Sequence, residues 1–262
     1  MGRLGLEGLR VLVTASTRGL GRGVAEVLLE EGARVVINGS RRETVEKAVA
    51  ELRALGEVYG VPADLNSLEN VERLVAEAER LLGGLDAGVY VPPPPPPGRV
   101  LEVPEEEWLK WSHGLALSPV WFARLLAPRL RGGPRGGLVY VTSIAVREPI
   151  PDIALSNVLR ISIHGLVCTL AKELGPRGVR VNAVLPGYFL TDRVRSLAEK
   201  RARETGKPME EVIKEMGSQV PLGRIGDPRE LGWVVAFLLS PLASYVSGAS
   251  VPVDGGRLNS VF

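Results

Sequence analysis

Apolar positions along the chain fall into short unbroken runs that alternate with stretches whose apolar residues recur every three or four positions. The first run, "LRVLVTA" (Leu9 to Ala15), is rich in β-branched residues and predicts a buried strand. "GLGRGVAEVLLEEGA" follows and sets Val24, Val27 and Leu28 at helical spacing. Next come a strand "ARVVING", a mixed-charge helix to about Leu55, a strand "VYGVPADL" and the helix "SLENVERLVAEAERLLG". A fourth strand, "LDAGVYV", runs into six consecutive prolines, Pro92 to Pro97.

After the prolines the pattern predicts two helical stretches (about Pro104 to Leu130), a strand "GGLVYVTS" and a long helix (about Asp152 to Leu174). A strand "VRVNAVLP", a charged helical region, a helix "DPRELGWVVAFLLS" and a strand "ASVPVDG" complete it. Strands that are apolar throughout and alternate with helices imply a parallel sheet covered on both faces. The expected fold is α/β, a single doubly wound parallel sheet flanked by helices. It forms one domain over residues 1–262, with no internal repeat or linker. Open parallel sheets bind ligands outside the carboxyl ends of their strands, so the prolines leaving the fourth strand are expected to line that side.

Composition narrows the class. A chain of 262 residues, 45% hydrophobic and 24% charged, can bury a full core. No apolar run approaches the length of a membrane crossing, and "MGRLGLEGLR" lacks the apolar segment of a signal peptide, which points to the cytoplasm and away from a membrane. The net charge of +2 is spread over mixed-sign helices, so no nucleic-acid face is expected. Cys168, His113 and His164 are too few for a metal cluster, and no structural metal is expected.

"TASTRGLGRG" (Thr14 to Gly23) lies between a strand and a helix, the context in which glycines let the backbone approach a pyrophosphate at a helix N-terminus. A plain tight turn is the competing reading. The spacing Thr14-x4-Gly19-x-Gly21 resembles the TGxxxGxG fingerprint of the short-chain dehydrogenase/reductase family. "VNAVLPGYFLT" and "VPVDGG" extend the resemblance over essentially the whole chain, with the 3-oxoacyl-[acyl-carrier-protein] reductase-like group nearest.

The resemblance implies that Thr14, Ser16, Arg18, Gly19, Leu20 and Gly21 hold the cofactor phosphates and that Asp64 and Leu65 meet the adenine. Pro186, Gly187 and Thr191 flank the nicotinamide. One departure is Ala15, where the family has its first glycine; a methyl group is tolerated there if φ is negative. The second strand ends in "INGSRR", with no acid to bind ribose hydroxyls and with Arg41, Arg42 and nearby Arg18 able to match a phosphate, so NADP(H) is favoured over NAD(H). The alternative is that Arg41 and Arg42 only begin a solvated helix.

The catalytic positions depart further. By register with the family, Ser143 keeps the Ser position, while Ser156 stands for the Tyr, Arg160 for the Lys and Leu115 for the Asn. A phenol has a pKa of about 10 that a nearby cation lowers, whereas an aliphatic hydroxyl is a far weaker acid. Arg160 keeps the charge needed to hold the nicotinamide ribose. Where the family has NNAG, this chain has Tyr90, Val91, Pro92 and Pro93, and the proline run is expected as a stiff polyproline II wall rather than a docking peptide. Tyr188, after Pro186-Gly187, and Tyr90, at the mouth of the fourth strand, are the candidate substitute phenols, while Tyr140 reads as core.

A lid is expected at about 191–222, with Val194, Leu197, Val212, Ile213 and Met216 underneath. The family's assembly mode implies a homo-oligomer, dimer or tetramer, with Trp111, Trp121 and Phe122 as residues that either face a sister subunit or fill the monomer. Two functions stand: an NADP(H)-dependent oxidoreductase reducing a ketone or 3-oxoacyl small molecule with altered proton delivery, or a nucleotide-binding homologue without turnover, acting as a sensor or partner subunit.

Overall fold

The computed structural model describes residues 3–260, apart from the side chains of Arg193, Ser196, Leu197 and Lys200. Seven strands, β1 (Arg10–Val13), β2 (Arg34–Gly39), β3 (Val58–Pro62), β4 (Ala87–Tyr90), β5 (Gly137–Val141), β6 (Val181–Pro186) and β7 (Ser250–Val253), pair in parallel in the order β3-β2-β1-β4-β5-β6-β7. The order reverses between β1 and β4, which places the ligand crevice at their carboxyl ends.

The inner strands β2, β1, β4, β5 and β6 are buried on both faces, because successive side chains alternate between two layers, while the edge strands β3 and β7 are partly exposed. Val11 and Val13 enter one layer with α1 (Gly19–Glu30) and α10 (Pro228–Leu239), where Val24, Leu28, Leu231 and Val235 meet them. Leu12 enters the other layer beneath α3 (Leu68–Leu82), α5 (Ser118–Leu126) and α7 (Ile161–Leu174), with Leu74, Phe122 and Val167. Helix α2 (Arg42–Leu52) packs on β2 and β3, and α8 (Asp192–Thr205) packs with α9 (Met209–Gly217) in the stretch where the sequence predicts a lid. Val212 is buried beneath it, Val194, Ile213 and Met216 are half-buried, and the Leu197 side chain lies outside the described residues.

Two helical predictions change in detail. The stretch from 104 to 130 is α4 (Glu105–Ser112), a π turn (His113–Leu117), α5 and a 3-10 turn (Ala127–Arg129). The long helix is broken at Arg160 into α6 (Ala154–Leu159) and α7. Contrary to the expectation from sequence, the stretch Ala154–Arg177 is long and apolar enough to cross a membrane by length and composition. Here its Ile163, Val167, Leu170 and Leu174 pack into the core of the sheet. Phe122 and Trp111 are also buried within the chain, and the exposed apolar residues on these helices are instead Leu109, Leu117, Val158 and Ile161.

Candidate active site

The glycine turn joins β1 to α1, and its underside is stitched by buried polar groups. Thr14 clasps the neighbouring strand end: its hydroxyl donates to Val91 O (2.9 Å) and accepts from Val91 N (2.7 Å). Ser16 donates its N–H to Asn38 O (2.8 Å) and its hydroxyl to Val13 O (2.7 Å). The Asn38 carboxamide accepts from Ala15 N (3.1 Å) and donates to Val61 O and Ala63 O, each 3.1 Å away. Thr14 and Ser16 therefore lie beneath the turn, fully buried, and hold its shape.

The outer side of the turn is a cradle. A Cβ built on Gly21 would stand 2.4 Å from Ala15 O, so only glycine lets α1 start this close to the strand. The first regular amide bond at this end is Arg22 N to Arg18 O at 3.3 Å, which leaves the Gly19, Leu20 and Gly21 amides in the orphan first turn that suits a phosphate. Exposed Arg18 sits at the N-cap. Ala15 has φ of +43°, so the condition under which its methyl was expected to be tolerated fails; the left-handed backbone is held by Asn38 on the Ala15 amide.

At the adenosine rim, Arg41 and Arg42 are exposed. Arg42 reaches Glu46 one turn along α2, at 3.8 Å, and Arg41 stands at the N-cap. Asp64 is exposed beside buried Leu65, and its carboxylate accepts from Asn66 N (3.0 Å) and Asn66 Nδ2 (2.9 Å). No acidic side chain stands at the end of β2.

The catalytic side differs. Leu115, which the sequence register sets at the family's Asn position, is fully buried and packs with Trp111 and Leu155. Ser143 follows β5 and its hydroxyl accepts from Ala145 N (3.1 Å), capping a short 3-10 turn. Ser156 is buried on α6. Arg160, at the break between α6 and α7, donates to Thr142 O (3.3 Å) and Pro93 O (3.4 Å), tying the ends of β4 and β5 together. The proline run is pinned again at Gly98, whose N–H bonds Asp152 O (2.8 Å) and whose carbonyl accepts from Ala154 N (3.0 Å). Pro94, Pro96 and Pro97 are exposed, as a wall segment requires.

Both candidate substitute phenols are engaged by other groups. Tyr90 is fully buried against Phe122 and Tyr140, and its hydroxyl donates to Gly114 O (2.9 Å); burial pushes its pKa far up, partly opposed by the Arg160 charge. It is not at an open mouth and is no proton donor at working pH. Tyr140 is core as expected, with burial likewise raising its pKa. Tyr188 lies beneath the Arg257 guanidinium (5.9 Å) and borders a cavity of about 130 Å³ with Val253, Asp254 and Val220, on the β7 side of the sheet. Gly187 N donates to Val253 O (3.0 Å) and so fixes the loop after Pro186. The Thr191 methyl lies 3.6 Å from where a Cβ on Gly19 would stand, which brings this loop's far end over the glycine turn.

A family model described as enoyl-(acyl carrier protein) reductase matches residues 14–257. The human protein "Dehydrogenase/reductase SDR family member 4" is 36% identical over 249 residues, covering 94% of this chain and 86% of its own length. The chain is a short-chain dehydrogenase/reductase. Within this family of oxidoreductases, L-sorbose reductase from Gluconobacter frateurii, solved with NADPH and L-sorbose, superposes with a TM-score of 0.93 at 26% identity, covering 98% of this chain and 99% of that one. An apo short chain oxidoreductase from Pseudomonas aeruginosa PAO1 described as containing an atypical catalytic center superposes at 0.89, with 27% identity over 96% of this chain and 97% of its own.

Two residues of this short-chain dehydrogenase/reductase escaped the reading of its sequence. Asn38 is a polar residue in the apolar run "VVING", a signal that a buried side chain there must be bonded. Asn66, two residues past Asp64, is the Asx-turn partner that holds that carboxylate.

Proposed function

We propose that this chain binds NADP(H) and reduces a ketone, with 3-oxoacyl compounds the first substrate class to try and with the proton supplied by something other than a phenol. The observation that carries the cofactor assignment is the cradle at Gly19–Gly21 beside an acid-free β2 end with exposed Arg18 and Arg41. In this assignment the turn amides hold the pyrophosphate, Arg18 and Arg41 the 2′-phosphate, and Asp64 and Leu65 the adenine. Arg160 holds the nicotinamide ribose, and Pro186, Gly187 and Thr191 the nicotinamide. The bound cofactor supplies hydride.

The residues on the substrate side orient and stabilise but do not titrate. Ser143 and Ser156 offer hydroxyls to a carbonyl oxygen, and Arg160 keeps its positive charge at any working pH. None is a competent acid near neutrality, so in this reading the alkoxide formed by hydride transfer takes its proton from solvent reaching the cleft, and the hydroxide left behind is neutralised by buffer in bulk. L-sorbose reductase and the actinorhodin polyketide ketoreductase, both solved with NADPH, are similar in fold and support a ketone as substrate.

The packed Leu115, Trp111 and Leu155 favour a second reading, a nucleotide-binding protein without turnover. NADPH oxidation by the wild-type chain with a panel of ketones and 3-oxoacyl thioesters decides between the two. Turnover supports reduction; no turnover in wild type, with activity gained in the Ser156→Tyr, Arg160→Lys double variant, supports the second reading. We place the protein in the cytoplasm as a dimer or tetramer, and light scattering is the measurement that checks the assembly.

A further inference from the structure

The π turn at His113–Leu117 has a local cause. Ser118 N bonds back five residues to His113 O, so the next carbonyl, Gly114 O, would find its partner at position 119. Position 119 is proline and has no N–H. Gly114 is buried, and a buried carbonyl left alone is costly. The missing donor is replaced from another element: the Tyr90 hydroxyl, arriving from the end of β4, reaches Gly114 O at 2.9 Å.

Gly114 also faces the nucleotide side. A Cβ built on it would stand 2.2 Å from Asn66 Oδ1 and 3.4 Å from Cγ of Pro93, so its main chain abuts both. Asn66 Oδ1 is buried and accepts no hydrogen bond in the structure, so at this end of the carboxamide the Gly114 main chain acts as a steric stop. The other end of the carboxamide, Nδ2, donates to the Asp64 carboxylate.

We infer that Tyr90 is a positioning residue whose hydroxyl stands in for the amide that Pro119 lacks, and that through Gly114 and Asn66 it sets the Asp64 carboxylate for adenine. The second half rests on the nucleotide-binding reading given above; the first half does not.

The test is a double-mutant cycle on the full chain with Tyr90→Phe, Pro119→Ala and both, read by urea unfolding and by calorimetry with 2′,5′-ADP. Alanine at 119 restores an N–H, so the hydroxyl becomes dispensable. The expected result is that Tyr90→Phe lowers the folded-to-unfolded ratio at least tenfold in the wild-type background and less than threefold beside Pro119→Ala. An equal loss in both backgrounds overturns the exchange. For the relay, Tyr90→Phe weakens 2′,5′-ADP binding about fivefold and Pro119→Ala recovers most of it. If wild type binds 2′,5′-ADP and Tyr90→Phe binds it as tightly, the relay is overturned. If wild type binds no nucleotide, the nucleotide reading itself fails, while the unfolding cycle still decides the exchange.

Discussion

The β1–β3 half and the β4–β7 half of one sheet treat their polar groups in opposite ways. On the glycine-turn side, Thr14, Ser16 and Asn38 bond inward, and this frees the Gly19–Gly21 amides and the Arg18 and Arg41 side chains to face out. On the side of the proposed catalytic residues, Arg160 donates to Thr142 O and Pro93 O, Ser143 caps a turn, and Leu115 is packed against Trp111 and Leu155. The first half turns its backbone amides and two guanidinium groups outward, while the second spends hydrogen bonds of Ser143 and Arg160 on its own backbone. In the function proposed above, the cofactor platform and the acid–base chemistry are separate features carried by the two halves of one fold.

The contrast can be broken most sharply at Gly21. Gly21→Ala drives a methyl into Ala15 O, and we expect a loss of about 3 kcal/mol of stability in urea together with loss of NADPH binding. Leu115→Ala, on the other side, opens a cavity in the small cluster and costs about 3 kcal/mol by the same measurement, but it leaves NADPH affinity within about twofold. If the Leu115 variant instead loses NADPH, the halves are not separable.

Smaller changes sharpen the picture. Arg41→Ala is expected to weaken NADPH about tenfold, near 1.4 kcal/mol, with NADH affinity unchanged in a calorimeter. Equal loss for both nucleotides would return Arg41 to the role of a solvated helix start. Ala15→Gly relieves the left-handed alanine but adds chain entropy, so a gain of less than about 1 kcal/mol in thermal stability is expected. A loss would mean the methyl packs usefully.

The sequence carried the strands, their parallel sense and the glycine turn, because each rests on local patterns: short apolar runs alternating with helices, and glycines between a strand and a helix. Register with the family singled out Ser143, Ser156 and Arg160, and their roles belong to the proposed function. What was not legible depends on partners far along the chain. The Ala15 backbone is held by Asn38, the Gly114 carbonyl is bonded by Tyr90 from 24 residues away, and Tyr188 turns to Arg257. Proline at 119 is a visible signal of a helix irregularity, yet nothing local says which side chain will replace its amide.

Calorimetry of the purified chain with NADPH and with NADH tests the central claim most directly. The account predicts NADPH binding at least tenfold tighter than NADH; failure to bind either would contradict an intact nucleotide platform.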